Sequence, residues 1–155
     1  MHYIDQSGKV EQTNKDTVLA LSNGTWDTIQ IQSKTKRQLQ EMFRRNGQIR
    51  NFVLFVFSVC LGILVKRNMK KTQNIVIDRE YFGKEPVIKN IIYQLFKGAK
   101  KLPHIEFALI GKGSPAHFRA YETAKSLLKP NKIISLAEIL EELKKTEVGN
   151  RLKNA

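Results

Sequence analysis

Apolar and polar positions along the chain fall into runs of different period. Near the N-terminus a short apolar stretch with strand character delivers Asp5 into a Gln-Ser-Gly-Lys turn at Gly8, and "VEQTN" continues or returns that strand. The clearest local signal follows in "TVLALSNGTWDTIQIQS". Two β-prone runs flank Asn23-Gly24, and because both residues tolerate positive φ the pair favours a tight type I′ hairpin turn. The first three strands are therefore expected to be antiparallel.

Helical character begins near Lys34, runs through "KTKRQLQEMFRR" and is expected to break or bend at Asn46-Gly47. In the Val- and Phe-rich run from Ile49 to Val65 periodicity does not separate helix from strand, and length argues for helix. "QNIVIDREYF" reads as a buried strand, Ile75 to Ile77, that ends at Asp78. Glu85-Pro86 starts a helix whose Ile88, Ile91, Ile92, Leu95 and Phe96 recur at helical spacing. After Pro103, "HIEFALIG" supplies another strand, and Ser114-Pro115 open a helix with Phe118, Tyr121, Ala124 and Leu128 on one stripe. Ser135 and Glu138 form a capping box ahead of a last helix. The order β-β-β-α-β-α-β-α-α predicts an α/β fold with a mixed five-stranded sheet, three antiparallel strands and then α-linked parallel strands, flanked by helices. At 155 residues, a single domain over 1–155 is expected.

Charge adds a partner to this picture. The 27 Lys and Arg outnumber 14 Asp and Glu, leaving a net +13. Such a surplus points to a polyanion, nucleic acid first, because neutralising phosphates releases counterions; membrane phospholipid and a solubility role are the alternatives. The basic clusters are Lys34, Lys36, Arg37, Arg44 and Arg45, then Lys66, Arg67, Lys70 and Lys71, then Lys97, Lys100 and Lys101. Cys60 is the only cysteine, so no internal disulfide forms, and its apolar neighbours imply a buried thiol. Polar residues follow Met1 almost at once, which is unlike a secretory signal and implies a cytoplasmic protein. The apolar run Phe52–Val65 spans about 14 residues, roughly 21 Å of helix, whereas a bilayer needs about 20 residues; no membrane span is expected.

Three local patterns resemble the ribonuclease H-like fold shared by ribonucleases H, integrases, transposases and junction resolvases. "YIDQSG" is similar to that family's first strand, where an aspartate beside a Ser-Gly turn is a metal ligand; "VIDREY" resembles its fourth strand, with Asp78 at the C-terminal end and the aromatic Tyr81 three residues later. "IEFALIGKGSPAHFRAYETAK" is similar to the fifth strand, the glycine-containing loop and the helix bringing the last acid; Glu122 is the nearest acid there, with His117 one turn before it. Where the family places a glutamate on its first helix, this chain has Gln38, with Glu41 one turn later. A neutral amide binds a divalent cation less strongly than a carboxylate does.

The resemblance implies a metal-dependent nuclease cleaving RNA or DNA with Mg²⁺ or Mn²⁺ held by Asp5, Asp78 and Glu122, and with Glu41 and His117 as further catalytic candidates. Clustered carboxylates suit that chemistry because two cations about 3.5–4 Å apart activate water and stabilise the leaving oxygen. Adjacent strands lie about 4.8 Å apart, close enough for their carboxylates to meet. The alternative implied by Gln38 is a non-catalytic nucleic-acid-binding protein of the same fold with an incomplete acidic site.

Each candidate also has a plainer reading. Asp5 suits an Asx-type turn, Glu80 and Glu85 suit solvated or helix N-terminal charges, and Glu122 suits a surface pair with Lys125 or Arg119. His117 is either a proton shuttle or a structural residue, and Trp26 either stacks on a base or packs. Asp78 stands out, because a carboxylate ending an Ile-Val-Ile run needs solvent, a partner or a metal. Lys36, Arg37, Lys70, Lys71 and Lys112, the last in the Gly111–Ser114 loop, are the expected nucleic-acid contacts.

Overall fold

Three consecutive strands, β1 (His2–Ser7), β2 (Thr17–Ser22) and β3 (Trp26–Ile31), pair antiparallel, as expected from the β-prone runs that flank Asn23-Gly24. The structure is a computed structural model that describes residues 1–22, 25–68 and 74–152, so the Asn23-Gly24 turn and the candidates Lys70 and Lys71 lie outside the described residues. Gly8 turns the chain after β1 with φ +78°, and a Cβ there would sit 2.3 Å from the Asp16 carbonyl oxygen, so only glycine fits. β4 (Asn74–Asp78) pairs parallel to β1, and β5 (His104–Ala108) parallel to β4.

Among the described residues the sheet has six strands, not the expected five. β6 (Lys132–Ile133) pairs parallel to β3, giving the order β5-β4-β1-β2-β3-β6. Two ladder residues carry no readable alternation. What holds them is Asn131, whose Oδ1 accepts from the Thr28 backbone N–H and hydroxyl at 2.9 Å each.

Helix α1 (Ser33–Arg45) ends where predicted, with Gly47 at φ +68°. A 3-10 turn over Ile49–Asn51 leads into α2 (Phe52–Arg67); α3 (Glu85–Leu95), α4 (Pro115–Ala124) and α5 (Leu136–Leu143) follow. Inward residues of alternating register, among them Ile4, Leu19, Leu21, Ile29 and Ile77, pack into one core with side chains of α1, α2, α3 and α5. The intervening Val18 and Ala20 face the other way and meet Ala120 of α4. Strand period two therefore places Asp5, the ladder partner of Ala20, on the α4 face. Asp78, one residue beyond Ile77, falls on that face too.

The apolar α2 is the centre of the larger core. Residues Ile49–Arg67 have a mean hydropathy of 1.9 and are long and apolar enough to cross a membrane by length and composition alone. In the fold this helix packs against α1, α3, α5, β2 and β3, and Phe55–Gly62 are all buried. A helix covered on every side has no polar stripe to show, which accounts for its missing periodicity. Gly62 lets α3 approach: a Cβ there would meet Leu95 Cδ1 at 2.3 Å. Burial pushes the Cys60 thiol up to about 12, so it stays protonated.

One expectation about a surface residue is overturned. Lys36, expected to contact nucleic acid, is 0% exposed; its ammonium donates to Lys9 O, Gln12 O and Thr17 Oγ1 at 3.2, 2.7 and 2.9 Å. These bonds use all three ammonium protons, and the side chain pins the β1–β2 connection to α1. Burial pulls its pKa down to about 8, against the attraction of Asp16. Several members of the basic clusters are paired: Arg44 and Arg45 with Glu41, Lys66 with Glu142, and Arg67 with Asp27 through two nitrogens at 2.9 and 3.1 Å.

Candidate metal centre

The C-terminal halves of two neighbouring parallel strands deliver carboxylates to one point. β1 and β4 pair Ile4 with Ile77, so continuing the register sets Asp5 beside Asp78. The chain stays extended past Asp78, since Arg79 N–H donates to Ala108 O at 2.9 Å, and period two then returns Glu80 to the side of Asp78. Ligand oxygens of Asp5, Asp78 and Glu80 all lie within 4.8 Å of one another. Among the described residues this is the only group of three such side chains.

Hydrogen bonds fix two of the three. Asp5 is 5% exposed; its Oδ1 accepts from Gln6 N–H at 2.7 Å and its Oδ2 from His117 Nδ1 at 2.9 Å. His117 stands on the flank of α4 and stacks on Tyr121, centroids 6.4 Å apart at 19°. Asp78 Oδ1 accepts from Ile110 N–H at 2.9 Å, which ties the loop after β5 to the cluster. Gly111, Lys112 and Leu109 of that loop, with Gln6 and His117, wall an open cleft of about 430 Å³ over the acids.

Like charges in a half-buried cleft perturb one another. Burial, then the charge of Asp78, raises the pKa of Asp5, while the Gln6 N–H and His117 act the other way. Glu80 is pushed up to about 7 by burial, by the charge of Asp78 and a hydrogen bond with it, and by Asp5. The cluster therefore holds more negative charge than its surroundings compensate, the condition under which a cation binds.

Ligand atoms around one Mg²⁺ at about 2.1 Å are separated by about 2.9–4.2 Å in an octahedron, so oxygens within 4.8 Å need only small side-chain rotations to share an ion. The donors are hard oxygens with one nearby imidazole, a set suited to Mg²⁺ or Mn²⁺. The residues thus fit the group.

The other candidates fall elsewhere. Glu122 is five residues from His117 on α4, about 140° around the helix, and is not among the converging acids. Glu41 lies on α1, on the opposite side of the sheet, bound to Arg44 and Arg45 at 2.7 and 3.2 Å. Arg37 is exposed on the same helix and donates to Thr13 O at 3.1 Å. Tyr81, the aromatic of "VIDREY", packs edge-on against Phe57 and donates to Glu11 Oε1 at 3.0 Å. Glu80 takes part where the sequence suggests a solvated charge. The signal for it was its spacing: Asp78 and Glu80 are two apart at the end of a strand.

Comparison with protein-family models, with curated proteins and with solved structures finds no match in any of the three.

Proposed function

We propose that this chain is a metal-dependent nuclease with a ribonuclease H-like arrangement, cleaving phosphodiester bonds in RNA or DNA. The observation that carries the reading is the convergence of Asp5, Asp78 and Glu80 within 4.8 Å at the C-terminal halves of β1 and β4 in a protein of net charge +13. Three hairpin-linked strands followed by α-linked ones, the order on which the resemblance rests, support it further.

When bound, Mg²⁺ or Mn²⁺ would supply an activated water and charge stabilisation at the leaving oxygen. Asp5, Asp78 and Glu80 would hold the ion. The Gln6 and Ile110 N–H groups orient the two aspartates while leaving further lone pairs on each. Glu80, pushed up to about 7, would have to lose its proton to serve as a ligand, so metal binding would be tighter at higher pH. His117 donates from Nδ1 to Asp5 when neutral, which leaves Nε2 to hold or pass a proton. Lys112, exposed at the cleft rim, takes a phosphate of the strand.

The test is incubation with labelled RNA–DNA hybrid, duplex and junction substrates and Mg²⁺ or Mn²⁺, for the parent and for Asp78→Asn. Cleavage by the parent and its loss in the variant are expected; no cleavage of any substrate, together with no metal binding, overturns the proposal. The second reading, a non-catalytic nucleic-acid-binding protein, is favoured by the distance of Glu41 and Glu122 from the cluster. It predicts salt-sensitive binding with no cleavage.

A further inference from the structure

Helix α4 shows its large side chains to solvent and buries its small ones. Ala116, Ala120 and Thr123 are its buried residues, while Phe118 is 52% and Tyr121 47% exposed. At 100° per residue, Phe118, Tyr121 and Lys125 share the ridge opposite the buried side, His117 stands on one flank, and Arg119 on the other. Each flank reaches a different strand. His117 meets Asp5 of β1, and Arg119 lies over the ring of Trp26 of β3 at 4.3 Å; Trp26 itself is 41% exposed. Lys125 lies 5.5 Å from the Tyr121 ring. His117 neighbours the Phe118 and Tyr121 rings, centroids 6.1 and 6.4 Å away, and Arg119 joins the helix to Trp26, so the three rings lie along the outer side of α4 and β3 beside the acid cleft.

Core packing does not explain three exposed aromatics in a row. Leaving them in water forfeits burial, which makes such a surface a binding site. Its charge selects the partner: Lys112, Arg119, Lys125 and Lys129 lie on or beside α4, whereas Glu122 is the helix's only acid. Aromatic faces interleaved with cations suit a polyanion that carries π-faces of its own.

Resting on the nuclease reading, we infer that Trp26, Phe118 and Tyr121 form a stacking platform for unpaired bases, so that the ligand entering the cleft is single-stranded or locally unpaired nucleic acid. Bases stack on successive aromatic rings with little sequence preference, and the phosphates run past Arg119, Lys125 and Lys112 toward the carboxylates. A continuous duplex keeps its bases inward and gains only the phosphate contacts.

The test measures binding in EDTA, where no cleavage occurs. The probes are a fluorescent thymidine oligomer of about 12 nucleotides, within the range one small domain covers, an abasic phosphodiester chain of equal length, and the same sequence as duplex. Trp26, the sole tryptophan, reports directly. The base-bearing strand should quench Trp26 emission and bind at least about fivefold tighter than the abasic chain, the lower end of one stacked base. Phe118→Leu with Tyr121→Leu keeps the helix apolar and should remove most of that preference while leaving the salt dependence intact.

Equal affinity for the strand with and without bases, or a duplex bound as tightly as the single strand, overturns the platform. So does a dimer whose Trp26 emission is already shielded before any nucleic acid is added, which would give the surface to a second copy of the chain. The two proposals fail separately. Base preference without cleavage sinks the nuclease alone; cleavage without base preference sinks the platform alone. Because Asp78→Asn should keep the base preference, it locates the platform outside the acid cluster.

Discussion

Replacing Asp78 by Asn removes one negative charge from the cluster and keeps its shape. Asn Oδ1 can still accept from Ile110 N–H, the 2.9 Å bond that positions the residue. Charges at the 4.8 Å limit of the cluster repel by about 3.5 kcal/mol at an effective dielectric near 20. Solvent in the open cleft screens that to about 1–2 kcal/mol. Exchanging a charged acceptor for a neutral one at Ile110 returns about 0.5 kcal/mol or more. The metal-free variant should therefore be more stable than the parent by about 1 kcal/mol at pH 8, or about 2–4 °C in melting temperature for a chain of this size.

A cation inverts the ranking. At a concentration of about 100 times the dissociation constant, Mg²⁺ or Mn²⁺ stabilises the parent by about 2.7 kcal/mol, and the variant, short of one ligand, by much less. Acid removes the contrast. Glu80 goes from 4.5 unfolded to about 7 folded, so its contribution to stability is full below 4.5 and is lost as pH rises through about 7. Fully buried, that displacement would be worth about 3 kcal/mol; for a half-buried group facing an open cleft, screening leaves about 1–2. Melts followed by circular dichroism in EDTA and in Mn²⁺, at pH 5 and pH 8, read all of this. A variant less stable than the parent in EDTA at pH 8, or equal metal responses in the two proteins, would refute the reasoning.

Three further outcomes follow from the same geometry. Lys36→Met leaves Lys9 O, Gln12 O and Thr17 Oγ1 without their donor and should cost about 2–4 kcal/mol in urea unfolding, with little effect on the salt dependence of nucleic-acid binding. Lys112→Ala should instead leave stability alone, weaken binding uniformly across sequences and reduce the slope of log affinity against log salt by about 1, as filter-binding titrations would show. Gly62→Ala makes the Leu95 side chain of α3 give way within a packed core and should destabilise by about 1–3 kcal/mol, measured by the same urea midpoint.

The elements were legible wherever one period ran long enough. The hairpin strands, the break at Gly47 and the helix after Pro86 all stand where their patterns predict. The aspartates could be read as well: Asp78 ends a strand of apolar residues, and Asp5 follows Tyr3-Ile4 two residues before the end of β1. Glu80 could have been found by extending the strand period past Asp78. Lys36 could not: helical spacing shows which way a residue points, and a lysine on the inward side is legible only once three acceptors are known to wait there. The two-residue β6 offers too little pattern to detect, and its position depends on a side-chain latch from Asn131.

Helix α4 shows why a correct period can still mislead. Its apolar stripe through Phe118 and Tyr121 is real, but the sheet beneath the helix presents Val18 and Ala20, and small residues there favour a close approach by the small residues of the helix. Ala120 therefore turns inward and the rings turn out. With Phe118 or Tyr121 facing the sheet, α4 would stand farther off, and His117 Nδ1 would not lie 2.9 Å from Asp5. Holding the imidazole on the buried carboxylate and exposing the aromatic ridge are thus two results of one rotation about the helix axis.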